Sequence, residues 1–263
     1  MNFVIKQLCS FLSAQWRYFL TAVMFFTRIP VFINDYQETD LNHSSRYFPL
    51  IGIIVGIVGG LTFWLANKML PLEISVLLSM VATLLLTGAF HEDGLADTAD
   101  GLGGGHEIEQ VLTIMMDSRI GSYGAIALVM ALITKYQTLS YVSVTILPMV
   151  IIVGHALSRY MAVLVMFTQR YVKSTGKSKP IATQLSVHGL MLASVFGLAP
   201  LVLLLTFCGY KYSAVLLPIF FIWLWFSLKL KERIGGYTGD CLGAMQQRTE
   251  ITFYLGILVC NSF

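Results

Sequence analysis

The sequence contains little charge for its length. Charged residues make up 12% of the 263 residues, hydrophobic residues make up 56%, and the mean hydropathy is +0.74. An ordinary soluble domain carries roughly 25% charged residues. Because a soluble core could not bury this much apolar surface, the composition excludes an ordinary soluble domain and predicts a polytopic membrane protein.

Cysteine is also scarce, and several other familiar features are missing. The four cysteines form no CxxC pair, which argues against a disulfide framework and a zinc site. The N-terminus has no clean apolar segment followed by a small-residue cleavage site, so we expect no removable signal peptide. No basic helix with interleaved aromatic residues is present, which argues against nucleic acid as a partner. Without an internal repeat, residues 1–263 are expected to form a single domain embedded in the lipid bilayer.

Seven apolar segments approach the length of about 20 residues that crosses a bilayer. They are Tyr47–Leu70, Glu73–Phe90, Gly121–Leu139, Pro148–Thr168, Leu190–Phe207, Tyr212–Leu228 and, less uniformly apolar, Leu242–Cys260. The N-terminal stretch Phe11–Phe32 contains two arginines, so we expect an interfacial or tilted helix there. The predicted fold is therefore all-α, a polytopic integral membrane bundle with about seven transmembrane helices plus this N-terminal helix.

Two basic clusters orient the predicted bundle. One lies in the loop Gln169–Pro180, and the other comprises Lys229, Lys231 and Arg233. The excess of Lys and Arg in cytoplasmic loops predicts that both clusters are cytoplasmic. Counting spans from these loops places an acidic run, His91–Gly105, on the same side.

That acidic run, HEDGLADTADGLGGG, is the richest polar segment of the chain. Its aspartates Asp93, Asp97 and Asp100 have the spacing i, i+4, i+7, which puts them on one face of a helix, and Glu92 lies about a quarter turn away. Like charges repel, and burial next to a membrane increases the cost. A neutralising cation is expected, and carboxylate oxygens suit Mg²⁺. The alternative is a solvated acidic loop that follows a membrane span.

A second polar motif, Gly235–Asp240, reads GGYTGD and precedes the last apolar segment. Asp240 would lie near the start of a helix, and Gly236 and Gly239 would let the backbone approach a phosphate or a metal ligand closely. Since both motifs are predicted on one face, Asp240 joins the candidate metal ligands.

Three further charged residues are candidates for the site. Arg119 could donate two hydrogen bonds to a phosphate, or it could anchor a helix at the interface. Arg159 lies within an apolar segment, where an arginine either has a function or pairs with a carboxylate. Asp117 precedes Arg119 closely and is a candidate proton acceptor.

Carboxylates, glycines and arginines on one face of a membrane protein fit phosphoryl or nucleotidyl transfer, which needs a metal and cations to hold phosphate charge. A cation-coupled transporter is the alternative, since transporters also use intramembrane acids. Against it, the acids lie at a helix end and no repeat symmetry is present. A non-catalytic scaffold would leave both motifs unexplained.

The chain resembles the cobalamin synthase family, the adenosylcobinamide-GDP ribazoletransferases. The resemblance follows the family's order along nearly the whole chain, and the run from Asp93 to Gly101 is its most specific part. The matching stretches are Phe26–Pro30, Phe48–Gly52, Phe90–Gly101, Met116–Gly121, Ser158–Arg159 and Gly236–Ala244.

The resemblance implies a Mg²⁺-dependent phosphotransferase in the cytoplasmic (inner) membrane with its active site facing the cytoplasm. Adenosylcobinamide-GDP would react with α-ribazole or its 5′-phosphate, releasing GMP and forming adenosylcobalamin or its 5′-phosphate. A homo-oligomer is left open. In this reading the acids hold the metal, Asp93, Asp97 or Asp117 acts in catalysis, and Arg119, Arg159, Gly236 and Gly239 bind substrate. The metal ligands would be Glu92, Asp93, Asp97, Asp100 and Asp240.

Overall fold

The structure is a computed structural model that describes residues 2–33, 36–172 and 185–262. Within these residues the chain is helical, apart from loops and one isolated parallel bridge between Tyr171 and Tyr237. Short 3-10 turns precede α3 and α10. The helices are α1 (Asn2–Phe26), α2 (Glu38–Ser44), α3 (Phe48–Ala66), α4 (Leu72–Thr87), α5 (Phe90–Gly104), α6 (Ile108–Met115), α7 (Ser122–Ser140), α8 (Leu147–Thr168), α9 (Val187–Cys208), α10 (Leu216–Ile234) and α11 (Gly239–Ser262).

Four helical segments of the described residues are long and apolar enough to cross a membrane. They are Thr39–Ala66, which ends with α3, then α8, α9, and Tyr210–Ile234, which contains α10. Helices α4 and α5 add a fifth if they form one broken span. The all-helical prediction is therefore confirmed, whereas the predicted count of seven spans is not.

Two of the predicted spans, α7 and α11, are helices of sufficient length but insufficient apolarity. At 1.5 Å per residue, their 19 and 24 residues measure about 28 and 36 Å. Both carry polar side chains that are buried inside the protein, among them Lys135 in α7 and Glu250 in α11. Their polarity therefore reflects an interior cluster rather than exposure to water.

A sharp break between α4 and α5 directs the acidic run out of line with the preceding helix. Gly88 ends α4 in the left-handed conformation with φ of 65°, and Ala89 follows with φ of 56°. Glycine adopts this conformation at little cost, which is why it commonly ends helices. The two helices meet at 84°. The acidic run therefore lies on a separate helix, which packs against α11, α7 and α6.

Helix α8 lies at the centre, packed against α3, α9 and α11. Its closest neighbour is α3, which turns Gly52, Gly56 and Gly60 towards the α8 backbone. A Cβ on Gly56 would lie 2.6 Å from the Cα of Ile152, so a larger side chain would force the helices apart. Small residues spaced by four are typical of close helix pairs in membranes. This pair supports α11, the helix that carries Asp240, through its contact with α8.

Candidate active site

The two polar motifs meet where α5 crosses the start of α11. A Cβ on Gly94 would lie 2.8 Å from the carbonyl oxygen of Asp240. A Cβ on Gly243 would lie 3.0 Å from the carbonyl oxygen of His91. The missing side chains therefore allow the two backbones to touch, which brings the acidic run beside Asp240.

Three carboxylates lie on the accessible side of the contact between the two helices, which we call the opening. We call these residues the acidic group: Asp93 and Asp97 on α5 and Asp240 on α11. Asp93 is exposed, while Asp97 and Asp240 are half-buried. Asp97 interacts electrostatically with Asp93, Asp240 and the more deeply buried Asp100. Burial and, to a smaller extent, the charge of Asp93 raise the pKa of Asp240. These like charges repel, so a cation at the opening would be favoured.

The second motif is held in place by a short connection to the loop after α8. Tyr237 N–H donates to the carbonyl oxygen of Arg170 at 3.0 Å, and Val172 N–H donates to Tyr237 at 2.8 Å. Gly236 lies so close to the Arg170 carbonyl that a side chain there would collide with it. Gly236 is therefore needed for this backbone contact, while Gly239 begins α11 beside the acidic group.

Basic residues lie at the same end of the bundle as the acidic group. The guanidinium of Arg233, near the end of α10, donates to the carbonyl oxygen of Gly105 at 2.5 Å. Arg170 adjoins the second motif through the bridge described above. The prediction that both motifs and the basic clusters share one end is confirmed for these residues. Lys173, Lys177 and Lys179 of the basic loop lie outside the described residues.

Asp100 has a different setting from the other aspartates of the run. One carboxylate oxygen accepts the N–H of Gly121 at 2.7 Å, and the other accepts the N–H of Gly124 at 2.9 Å. These backbone groups belong to the start of α7, whose first N–H groups have no partner within the helix. Asp100 therefore caps α7, and both of its oxygens already have partners.

Glu92 points into the protein rather than towards the acidic group. Its side chain is buried and accepts a hydrogen bond from Gln247 at 2.8 Å, with the ammonium of Lys135 at 3.7 Å. The sequence grouped Glu92 with the metal ligands, but its carboxylate joins an interior cluster instead. A side chain a quarter turn from Asp93 faces another neighbour on a tightly packed helix.

That interior cluster joins α5, α7, α8 and α11. Lys135 lies 2.9 Å from a carboxylate oxygen of Glu250, and its ammonium donates to Gln247 at 3.3 Å. Gln246 donates to the other oxygen of Glu250 at 2.6 Å, and Tyr254 donates to Glu250 at 3.1 Å. The charges of Glu92 and Glu250 balance those of Lys135 and Arg159, which lowers the cost of burying all four.

Arg159 belongs to this interior cluster as well. It is 1% exposed, and its guanidinium donates to the carbonyl oxygen of His155 at 3.0 Å. It interacts electrostatically with Glu250 and Glu92. The hydrogen bonds of the guanidinium go to His155, so the carboxylate pairing raised by the sequence is present only as this electrostatic interaction.

Asp117 and Arg119 occupy the exposed loop between α6 and α7 and pair with each other. The guanidinium lies 2.6 Å from a carboxylate oxygen of Asp117, while the Arg119 side chain is 87% exposed. Hydrogen bonds from Arg119 lower the pKa of Asp117 to about 2. A carboxylate with so low a pKa is a weak proton acceptor near neutral pH.

The acidic group offers hard oxygen ligands but no ready-made cage for a metal. Among the residues the structure describes, no three His, Cys, Asp or Glu side chains converge closely enough to hold an ion together. Mg²⁺ does not require this, because it usually takes one or two carboxylates and completes its shell with water and substrate phosphates. Exposed and half-buried carboxylates on two neighbouring helices fit that pattern.

The sequence analysis missed most of the interior cluster. Hydropathy treats Gln246, Gln247 and Glu250 only as interruptions of the segment Leu242–Cys260, and no motif links Ser158 or Tyr254 to them. A usable signal was present: these α11 residues recur at spacings of three and four, which places them on one helix face.

Comparison with known proteins gives one consistent result. Residues 18–258 match the family model for cobalamin-5-phosphate synthase. A protein of Shewanella frigidimarina named adenosylcobinamide-GDP ribazoletransferase is 44% identical over 256 residues, covering 93% of this chain and 95% of that protein. A protein of Ralstonia pickettii with the same name is 45% identical and covers 95% and 98% of the two chains. No solved structure matches.

Proposed function

The chain belongs to the cobalamin-5-phosphate synthase family, and we propose that it is an adenosylcobinamide-GDP ribazoletransferase. The reaction joins adenosylcobinamide-GDP with α-ribazole or its 5′-phosphate. It releases GMP and forms adenosylcobalamin or the 5′-phosphate of adenosylcobalamin. The names of the relatives give no support to the cation-coupled transporter considered from the sequence.

One observation above all supports this chemistry at the acidic group. The glycine contacts between α5 and α11 bring carboxylates from two distant motifs close together, and Asp97 interacts electrostatically with both Asp93 and Asp240. A pyrophosphate substrate carries negative charge that such a site could hold only with a cation between. The geometry is thus suited to a metal-bound nucleotide diphosphate.

Within this proposal, one or two carboxylates of the acidic group, from among Asp93, Asp97 and Asp240, would hold Mg²⁺. When bound, the ion would neutralise phosphate charge and help orient the pyrophosphate. Asp100 and Glu92 would support these residues and would not bind the ion. The carboxylate of Asp100 already bonds to the start of α7, and that of Glu92 bonds to the interior cluster. Of the five metal candidates from the sequence, we therefore retain the three of the acidic group as the source of the one or two carboxylates that would bind the ion directly.

The remaining roles follow from the same positions. A ribose hydroxyl of the ribazole attacks the phosphorus on the corrinoid side, and an aspartate of the acidic group, Asp93 or Asp97, accepts its proton. Asp117 is less suited because of its ion pair with Arg119. Exposed Arg119 could exchange Asp117 for a substrate phosphate, and the backbone at Gly236 and Gly239 would lie along the substrate.

We further propose a location in the cytoplasmic membrane, with the acidic group facing the cytoplasm. The basic residues at that end support this orientation through the positive-inside rule. The lipid bilayer, adenosylcobinamide-GDP and the ribazole are then the partners of a single membrane-embedded transferase domain.

The test uses purified protein in lipid nanodiscs with both substrates. We expect GMP to appear only when α-ribazole or its 5′-phosphate is present, and we expect a chelator to stop the release until Mg²⁺ is restored. An equal rate of GMP release with and without α-ribazole or its 5′-phosphate would indicate a hydrolase. Ribazole-dependent release that persists in the chelator would contradict the metal assignment but leave the transferase activity standing.

A further inference from the structure

A stripe of polar side chains runs along α11 from the acidic group into the protein interior. Asp240 lies at the opening, and Gln247 and Glu250 follow seven and ten residues later. At 1.5 Å per residue they lie about 10 and 15 Å deeper along the helix. Both are buried and bonded to other helices. Polar contacts in the protein interior therefore hold α11, the helix that carries Asp240, in place.

The helix on the other side of the site is fixed by the same contacts. Glu92 on α5 bonds to Gln247, and Lys135 on α7 lies between Glu92 and Glu250. Glu92 is the residue before Asp93 and lies about 1.4 turns before Asp97. A rotation of α5 that broke the Glu92 contacts would therefore also turn both aspartates away from Asp240.

The contact between the two backbones does not by itself set this rotation. Gly94 and Gly243 permit close approach, but a glycine surface is smooth and offers no interlocking side chains. Directional hydrogen bonds and buried ion pairs can fix how one helix is rotated and shifted against another. This is their best-attested role in helix packing. Glu92, Lys135 and Glu250 make directional contacts of this kind with the two glutamines.

We propose that Glu92, Lys135 and Glu250 form a buried ionic clamp that sets the rotation and height of α5 against α11. The clamp fixes the distances from Asp240 on α11 to Asp93 and Asp97 on α5. The inference rests on the proposed function, since this spacing matters only if these carboxylates share an ion. The three clamp residues are positioning residues and do not contact substrate.

A suitable variant must break the clamp without leaving a lone buried charge. Lys135→Met combined with Glu250→Gln removes one positive and one negative charge, so Glu92 and Arg159 still balance each other. Lys135→Arg keeps the positive charge and is the rescue variant. Lys68→Met is the matched control, because Lys68 is exposed in the turn between α3 and α4.

The first readout is metal binding without turnover, measured with Mn²⁺ by electron paramagnetic resonance on purified protein in nanodiscs. We expect the double variant to bind Mn²⁺ about 10- to 100-fold more weakly, as for other residues that support metal ligands. Lys135→Arg should bind more tightly than the double variant, and Lys68→Met should match the wild type. In turnover, the double variant should need more Mg²⁺ for half-maximal rate.

The second readout needs no metal. Thr98 on α5 lies beside Cys241 on α11, and both are fully buried. With Thr98→Cys introduced and the other three native cysteines changed to serine, the rate of disulfide formation reports the registration of the two helices. We expect the double variant to change this rate severalfold and Lys68→Met to leave it unchanged.

The two readouts separate failure of the clamp from failure of the proposed function. A double variant with wild-type melting temperature, Mn²⁺ affinity and cross-linking rate overturns the clamp. If Asp97→Ala binds Mn²⁺ as tightly as the wild type, the proposed metal site fails, and the cross-linking rate alone then decides whether the clamp exists.

Discussion

At the scale of single residues, two glycines determine how closely the two halves of the site approach. A Cβ on Gly94 would lie 2.8 Å from the backbone of Asp240, so Gly94→Ala must push α5 away from α11. A displacement of about 1 Å can cost roughly 100-fold in rate. We expect a loss of that order in kcat for GMP release, with normal amounts of protein in the membrane.

Gly104→Ala is the matched control for this change on the same helix. Its Cβ would meet only the Cδ1 of Ile114 at 3.5 Å, an ordinary contact. It should keep nearly full activity. Equal activity in the two variants would mean that the contact between α5 and α11 does not govern the site.

Substitution of Asp100 should lower the stability of the protein, whereas substitution of Asp97 should lower its activity. Asp100→Ala removes two hydrogen bonds from the start of α7, and loss of a helix cap typically costs about 1–2 kcal/mol. Thermal unfolding in nanodiscs should therefore begin at a lower temperature. Asp97→Ala should lose activity while unfolding at or above the wild-type temperature, since it removes a repelling charge. Unchanged unfolding of Asp100→Ala would contradict its role as a cap.

The sequence predicted the acidic group better than its surroundings. Helical spacing aligned Asp93 and Asp97, and the orientation rule placed Asp240 at the same end. The interior cluster was not predicted, because Lys135 and Gln247 are 112 residues apart and hydropathy describes each helix alone. Which of two adjacent acids faces the opening depends on the neighbouring helices, so Glu92 could not be distinguished from Asp93.

At the scale of helices, the packing of α3 against α8 provides the support for the site. Gly56→Leu would place a large side chain against the α8 backbone, and overpacking of this kind typically costs about 1–3 kcal/mol. We expect a lower unfolding temperature and a loss of activity. Ile57→Phe adds bulk on the same helix, but Ile57 is 49% exposed, so its unfolding temperature should change little.

The element boundaries were largely predictable, whereas the membrane topology was not. The apolar segments correspond to α3, α4 and α7 to α11 within a few residues. The break at Gly88 and Ala89 fell inside a predicted span, because one glycine among apolar residues does not identify a left-handed turn. The polarity of α7 and α11 comes from side chains that meet each other inside the fold.

At the scale of the whole molecule, the proposed orientation places the acidic group and basic residues on the cytoplasmic side. Met69, in the turn between α3 and α4, is 88% exposed, and Lys231 is exposed at the end of α10. In a background without native cysteines, a membrane-impermeant thiol reagent should label Met69→Cys in intact spheroplasts and Lys231→Cys only in inverted vesicles. The reverse pattern would place the acidic group outside.

The central claim is that carboxylates from α5 and α11 act together in a Mg²⁺-dependent transfer that releases GMP. The most direct measurement is ribazole-dependent GMP release by Asp97→Asn and Asp240→Asn in nanodiscs across a Mg²⁺ titration. The rate of GMP release should fall at least about 100-fold in each variant, and the protein should remain folded. This is the upper end of the loss seen when residues that hydrogen-bond to metal ligands are changed. Wild-type turnover and Mg²⁺ dependence in either variant would contradict the account.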